Sequence, residues 1–342
     1  MNNILHWLLE ENNPSIRYFT LKDLLNKKES SFELIKLKSQ ILNSKIISKI
    51  FAGQNTKGYW LNPNSPYLPK YKSTYWTIML LGYLGIDRID KRVQRACEYI
   101  LKFQHEQGGF MSETRQTLLR QYEWHLKRKK KLPEFNEWVN KMLHDSQSSC
   151  LTGNISAALI RLGYQNDPRV KKTLYWLTKI QNQDGGWLCP YWSAHIKDTH
   201  GCFDGTICSL EAFSEVPQEN RTEEMERTIK RGAEFLLMHN LYKVDHHGYK
   251  TINKKWFLLS YPWFYTYSIL RGLDVLTKLG YTNDKRLNDA VEVLLAKRKK
   301  EGCWTLENTP TSRMQANIET KGKPSKWITL IALRVLKRLN RF

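Results

Sequence analysis

Nothing in this sequence is long and apolar enough to cross a membrane: the stretch from Thr77 to Ile86 is about half the roughly 20 residues a spanning helix needs. The first residues, Met1 to Leu5, lack the basic segment of a secretion signal and are followed by Glu10 and Glu11, so the chain is expected in the cytoplasm. Six cysteines are scattered with no C-x-x-C pair, which predicts reduced thiols rather than a disulfide framework. Acidic residues are scarce, 33 against 54 Lys and Arg, leaving a formal charge of +21. Such an excess attracts anionic lipid, nucleic acid or phosphorylated ligands, although a lysine-rich composition produces the same number without any partner. The 342 residues, 41% of them hydrophobic, can bury a large core and exclude a disordered or collagen-like chain.

What the sequence does contain is repetition. Four segments share one register, in which a polar residue at a helix end is followed four residues later by Gly and six later by an aromatic. They are Gln54 with Gly58 and Trp60, Gln104 with Gly108 and Phe110, Gln181 with Gly185 and Trp187, and Arg298 with Gly302 and Trp304. Glycine supplies the left-handed backbone that stops a helix, and the aromatic can fold back over the freed end. A fifth copy, residues 231–240, keeps the helix and loses the turn.

Each unit is followed by a far more apolar segment: residues 73–85, 154–163, 206–213, 265–280 and 325–336, with residues 14–25 forming the first. A helix apolar nearly all round must be enclosed. Six amphipathic outer helices alternating with six enclosed inner helices predict a closed ring rather than an open solenoid, with the first and last pairs meeting. The interval between Gln104 and Gln181 is much longer than that between Gln54 and Gln104, which marks residues 111–149 as an insertion into a single domain spanning residues 1–342.

The pattern basic, small, aromatic, aliphatic, Gln, Gly, Trp resembles the QW repeat of squalene and hopene cyclases. Arg95, Ala96, Tyr99, Ile100, Gln104 and Phe110 carry it, and Lys172 through Gln181 to Trp187 repeat it. The resemblance implies the all-α (α/α)6 toroid of terpenoid cyclases and protein prenyltransferase β subunits, and extends to squalene-cyclase-like and prenyltransferase-like prokaryotic proteins. It also implies an isoprenoid or other lipid as ligand. Two family motifs are missing: the D-x-D-D acid of class II cyclases and the D-x-C zinc pattern of prenyltransferases. Binding or transforming an isoprenoid in a central pocket is therefore one reading, and a non-catalytic ligand-binding or scaffold toroid the other.

Inner-helix starts are expected to line the pocket mouth. They carry Tyr18, Tyr75, Trp76, Asn154, Trp263, Tyr265, Tyr267 and Trp327, an aromatic cup suited to an apolar chain or a carbocation, or simply to core packing. Asp204, with His200 beside it in sequence, is the candidate acid of that cup; its ordinary role would be to cap the helix that follows. Cys189, His195, His200 and Cys202 have the donor types of a zinc site, though their spacing matches no finger or ribbon. His246 and His247 are expected on a solvent-facing turn. The basic run Lys127–Lys131 in the insertion, with Phe135 and Trp138 nearby, fits an anionic membrane surface; nucleic acid is the weaker partner, since no helix-turn-helix, zinc-finger or RNA-binding signature occurs.

Overall fold

The computed structural model describes residues 2–189, 199–244, 250–310 and 313–342. Among the described residues, fifteen α-helices account for nearly all regular structure. They are α1 (Asn2–Leu8), α2 (Pro14–Phe19), α3 (Phe32–Leu42), α4 (Lys45–Ala52), α5 (Thr74–Leu84), α6 (Lys91–Leu101), α7 (Arg115–Lys127), α8 (Phe135–Asp145), α9 (Ser149–Leu159), α10 (Pro168–Lys179), α11 (Phe203–Ser214), α12 (Glu223–Met238), α13 (Ile269–Lys278), α14 (Asn288–Ala296) and α15 (Lys326–Arg338). A two-residue antiparallel pairing of β1 (Trp304–Thr305) with β2 (Pro324–Ser325) is the one sheet among them. The fold is all-α.

Apolar content sorts the helices into layers. Every residue of α5 is buried, and in α11 all but Asp204 are, because both face other helices on every side. In contrast, α6 buries one stripe, including Val93, Ala96, Cys97 and Ile100, and leaves the rest of its surface to solvent. Inner helix α9 packs between α5 and α11, α11 touches α13, α13 packs on α15, and α15 packs on α2. Ser15 Oγ then donates to Leu84 O at 2.8 Å, joining α2 to the end of α5 and completing a ring of six inner helices. The α9–α11 approach is close enough that a Cβ on Gly153 would stand 2.4 Å from Cys208 O, so no larger residue fits there. At the seam, Lys326 pairs with Glu10 at 2.7 Å, and Lys337 Nζ donates to the carbonyls of Asp23 and Leu24 at 2.9 and 2.8 Å.

Outside this ring lie α1, α6, α10, α12 and α14, with the outer member of the second pair broken at residues 43–44 into α3 and α4. The repeated turns join the layers in one recurrent pattern. Indole Nε1 of Trp60, Trp187 and Trp304 donates to Ile50 O, Leu177 O and Leu294 O at 2.8, 2.8 and 2.7 Å, capping the helix that the turn has just ended. Backbone N of Trp60, Phe110, Trp187 and Trp304 donates to a threonine hydroxyl on the following inner helix. Nε2 of Gln54, Gln104 and Gln181 donates to the carbonyls of Arg92, Arg169 and Thr228, each at 2.9 Å and each on the next outer helix. Gly185 sits at φ +91°, and a Cβ there would meet Arg231 O at 2.3 Å, so this glycine is required twice over.

Between α6 and α9, residues 111–149 make an excursion whose ends lie side by side, Met111 paired with Gln147. Its two helices, α7 and α8, pack on each other through Tyr122 against Phe135 and Trp138. The exposed aromatic of this segment is Trp124, 47% accessible, beside the basic run; Phe135 and Trp138 instead hold the helix pair together.

Candidate functional site

The inner helices enclose a cavity of about 640 Å³. Its wall includes Tyr18 of α2, Tyr83 of α5, Arg161 after α9, Glu215 after α11, Lys278 of α13, and Trp327, Ile331, Arg334 and Arg338 of α15. From Trp327 to Arg338 along α15 the wall runs about 16 Å at 1.5 Å per residue. The cavity opens where the inner helices end, whereas the sequence places the mouth at their starts. Rings explain the difference: at the starts, Trp76 packs against Tyr67, Tyr71, Phe264 and Tyr265 with centroids 5.1–5.9 Å apart, which fills that end. At the open end, the chain of α2 and α9 continues into π-helical turns, Thr20–Leu24 and Ile160–Tyr164, both contributing to the wall.

Aromatic rings form the deep part of the cavity. Tyr261 and Trp327 stack at 4.8 Å, and Tyr83 meets both Tyr261 and Trp263. The indole nitrogens of Trp263 and Trp327 are buried with no hydrogen-bond partner among the described residues. Behind these rings lies an ionic hub. Glu211 accepts from Tyr83 OH at 3.1 Å and from Arg271 Nε at 2.7 Å, and pairs with Arg161, whose guanidinium stands 4.6 Å from the Tyr83 ring. Arg271 is completely buried and also donates to Asn154 Oδ1 at 2.8 Å. Glu215 binds Arg161 and Lys278, each at 2.7 Å.

Burial opposes ionisation of both glutamates, but the cations prevail. Arg271 and Arg161 hold Glu211 below the usual carboxylate range, and Arg161 and Lys278 take Glu215 down to about 2. Burial, with Glu211 adjacent, pushes the Tyr83 phenol up. These carboxylates therefore hold charge rather than release a proton. Each of the other wall acids also has a basic partner: Asp23 with Arg334, Glu29 with Lys22, Asp87 with Lys38, Asp274 with Arg338. Arg88 lines the rim beside the Tyr164 ring and has no ion-pair partner among the described residues, so the wall carries surplus positive charge.

Of the residues singled out in the sequence, Tyr18, Trp263 and Trp327 line this cavity. Asn154 is buried in the hub, between Arg271 and Cys208 Sγ. Tyr75 packs on Phe110, with its hydroxyl buried and without a hydrogen-bond partner. Tyr265 meets Trp76 at the closed end, and its hydroxyl lies 3.4 Å from that of Tyr71. Tyr267 OH donates to Leu241 O at 2.8 Å, while its backbone N donates to Asp204 Oδ1 at 2.8 Å. Asp204 stands in the first turn of α11, whose N-cap position belongs to Cys202; its carboxylate ties the loop before α13 to α11. His200 is exposed, with its ring beside Phe235 and His239 in the outer layer.

The donor set for zinc does not assemble among the described residues, where no group of three or more His, Cys, Asp or Glu converges. Cys189 lies against Cys150, Ser148 and Ser149, and Cys202 pairs by its backbone with Trp187. His195, His246 and His247 lie outside the described residues. The sequence motifs do not single out Arg161, Glu211 and Arg271. The available signal was a single charge inside each of the apolar segments 154–163 and 206–213, and an arginine inside the apolar segment 265–280.

A larger cavity, about 990 Å³, lies outside the ring between α7, α8 and the second repeated turn, and includes His105, Glu113, Arg115 and His144. The central cavity carries the functional reading because six inner helices converge on it and its wall holds the two unpartnered indoles.

No family model matches the chain, and no curated protein matches it. Among solved structures, one of a protein from Actinoplanes aligns with 99% of this chain and 98% of its own at 14% identity, with a TM-score of 0.47. The apo type II terpene cyclase MstE from Scytonema aligns with 97% of this chain and 89% of its own at 13% identity and a TM-score of 0.46. A variant of that cyclase in complex with its substrate, geranylgeranyl dihydroxybenzoate, aligns with 97% and 88% at 15% identity and a TM-score of 0.44.

Proposed function

We propose that the toroid binds, in its central cavity, an isoprenoid or other lipid carrying an anionic end. The observation that carries this reading is the division of the cavity wall into a deep aromatic part, Tyr83, Tyr261, Trp263 and Trp327, and a cationic rim that includes Arg88. A volume of about 640 Å³ is in the range of small-molecule sites, and the aromatic faces suit an unsaturated chain. An anionic end at the rim would meet the surplus positive charge. Because Glu211 and Glu215 are held ionised, the reading is one of binding, with no proton donor assigned in the wall. No described helix is long and apolar enough to cross a membrane. Trp124 and the run Lys127–Lys131 at the tip of α7 would be the contact with an anionic membrane surface from which such a ligand is taken.

Calorimetric titration of the full chain with geranylgeranyl diphosphate, geranylgeraniol and inorganic diphosphate tests the reading. The amphiphile should bind one to one, about tenfold or more tighter than either fragment, a difference of about 1.4 kcal/mol. Equal binding of inorganic diphosphate, or no heat with any of the three, would contradict it.

A further inference from the structure

Two of the six cysteines touch. Cys150, the second residue of α9, and Cys189, two residues beyond the Trp187 turn, have their sulfurs 3.7 Å apart. Hydroxyls surround the pair: Ser148 Oγ lies 3.1 Å from Cys150 Sγ and 3.3 Å from Cys189 Sγ, and Ser149 Oγ lies 3.2 Å from Cys189 Sγ. Ser149 Oγ also donates to Leu188 O at 3.1 Å, which fixes the two segments against each other. Cys150 is partly exposed and Cys189 is 4% accessible, so a small reagent can reach the pair while a bulky one is hindered.

We propose that Cys150 and Cys189 form an oxidisable dithiol that hydrogen peroxide converts to a disulfide linking the start of α9 to the segment leaving the third repeated turn. The step balances. The Cys189 sulfur attacks one peroxide oxygen, the O–O bond breaks, and the departing oxygen leaves as water with the thiol proton, giving a sulfenic acid. The Cys150 sulfur then attacks the sulfenic sulfur, the S–O bond breaks, and a second water carries away the Cys150 proton. Two electrons pass from the two thiols to the peroxide. The sulfurs must close from 3.7 Å to about 2 Å, and both sit on segments already held together by Ser149. The sulfur of Cys150 and the hydroxyl of Ser148, both within hydrogen-bonding reach, hold the Cys189 thiol below its ordinary value against the opposing effect of burial, which supports it as the first nucleophile. Cys97 and Cys303 sit on other parts of the ring and are not offered a partner in this way.

The test is peptide mapping of the fully reduced chain after brief exposure to hydrogen peroxide, alkylation and non-reducing digestion. The expected product is a Cys150–Cys189 linked peptide lighter by two hydrogens, reversed by dithiothreitol, with Cys97 and Cys303 still alkylated. In a folded Cys150→Ser chain, checked by circular dichroism, Cys189 should instead accumulate as a sulfenic acid trapped by dimedone. Full alkylation of both cysteines after peroxide, or linkage of either to Cys202 or Cys208 in preference, would overturn the proposal. Because the readout is a covalent bond, it stands or falls separately from ligand binding in the central cavity.

Discussion

Arg271 reaches Glu211 from the neighbouring inner helix with an Nε to carboxylate distance of 2.7 Å, and the two side chains are 0% and 2% exposed. Glu211 also joins Tyr83 of α5 and Arg161 beyond α9, so one carboxylate links four inner helices. Such a hub costs desolvation and gains a specific arrangement only while all its members are present.

Replacing one member should therefore be severe. Glu211→Gln leaves the buried Arg271 guanidinium facing an uncharged group, while the half-buried Arg161 keeps only Glu215, and should destabilise by about 3–5 kcal/mol. Adding Arg271→Met to that variant should recover part of the loss, since the unpaired charge is then removed as well. Denaturant midpoints of the two variants check this; equal or greater loss in the double variant would show that Arg271 acts through packing alone.

Glu215 gives the hub a pH dependence. Its folded-state value is depressed from an ordinary 4.5 to about 2, so its contribution is fully present above about 4.5 and is lost as the pH falls toward 2. Thermal midpoints should fall across that window, and the fall should be shallower in Glu215→Gln. An unchanged slope in the variant would place the acid sensitivity elsewhere.

The repeated turns make a second prediction about stability. Trp187 is completely buried, caps α10 through Leu177 O and fills the space above Gly232. Trp187→Ala should cost about 3–5 kcal/mol in unfolding free energy. A loss below about 0.5 kcal/mol, typical of surface changes, would show that the turn does not hold the layers together.

Asp204 accepts from Tyr267 N, a task an asparagine oxygen can also perform. Asp204→Asn should keep both stability and ligand affinity, whereas Asp204→Ala should lose about 1–3 kcal/mol by orphaning a backbone donor. Lost affinity in a stable Asn variant would return Asp204 to the functional site.

Much of the layering was legible in the sequence, because enclosed helices such as residues 74–84 announce themselves by apolar residues all round. The Gln–Gly–aromatic register gave the turns, though not that Gln181 would reach Thr228 on the next outer helix. The site was less legible. Glu211 finds Arg161 and Arg271 at separations of 50 and 60 residues, and only ring closure brings them together. Trp76 and Trp327 look alike as aromatics at helix starts. Trp76 is consumed by packing with Tyr67, Tyr71 and Phe264, while Trp327 reaches the cavity beside Tyr261. Asp204 looked like a cap because it precedes an apolar run, but the pairing of Cys202 with Trp187 starts the helix earlier.

The most direct test of the central cavity as a binding site is photolabelling of the full chain with a geranylgeranyl diphosphate analogue carrying a diazirine on its chain, followed by peptide mapping. Labels should fall on peptides containing Tyr83, Tyr261, Trp263 or Trp327, and unlabelled geranylgeranyl diphosphate should compete them away. Competed labels confined to the second repeated turn, α7 and α8, around His105, Phe135 and His144, would place the ligand in the larger outer cavity and contradict the account.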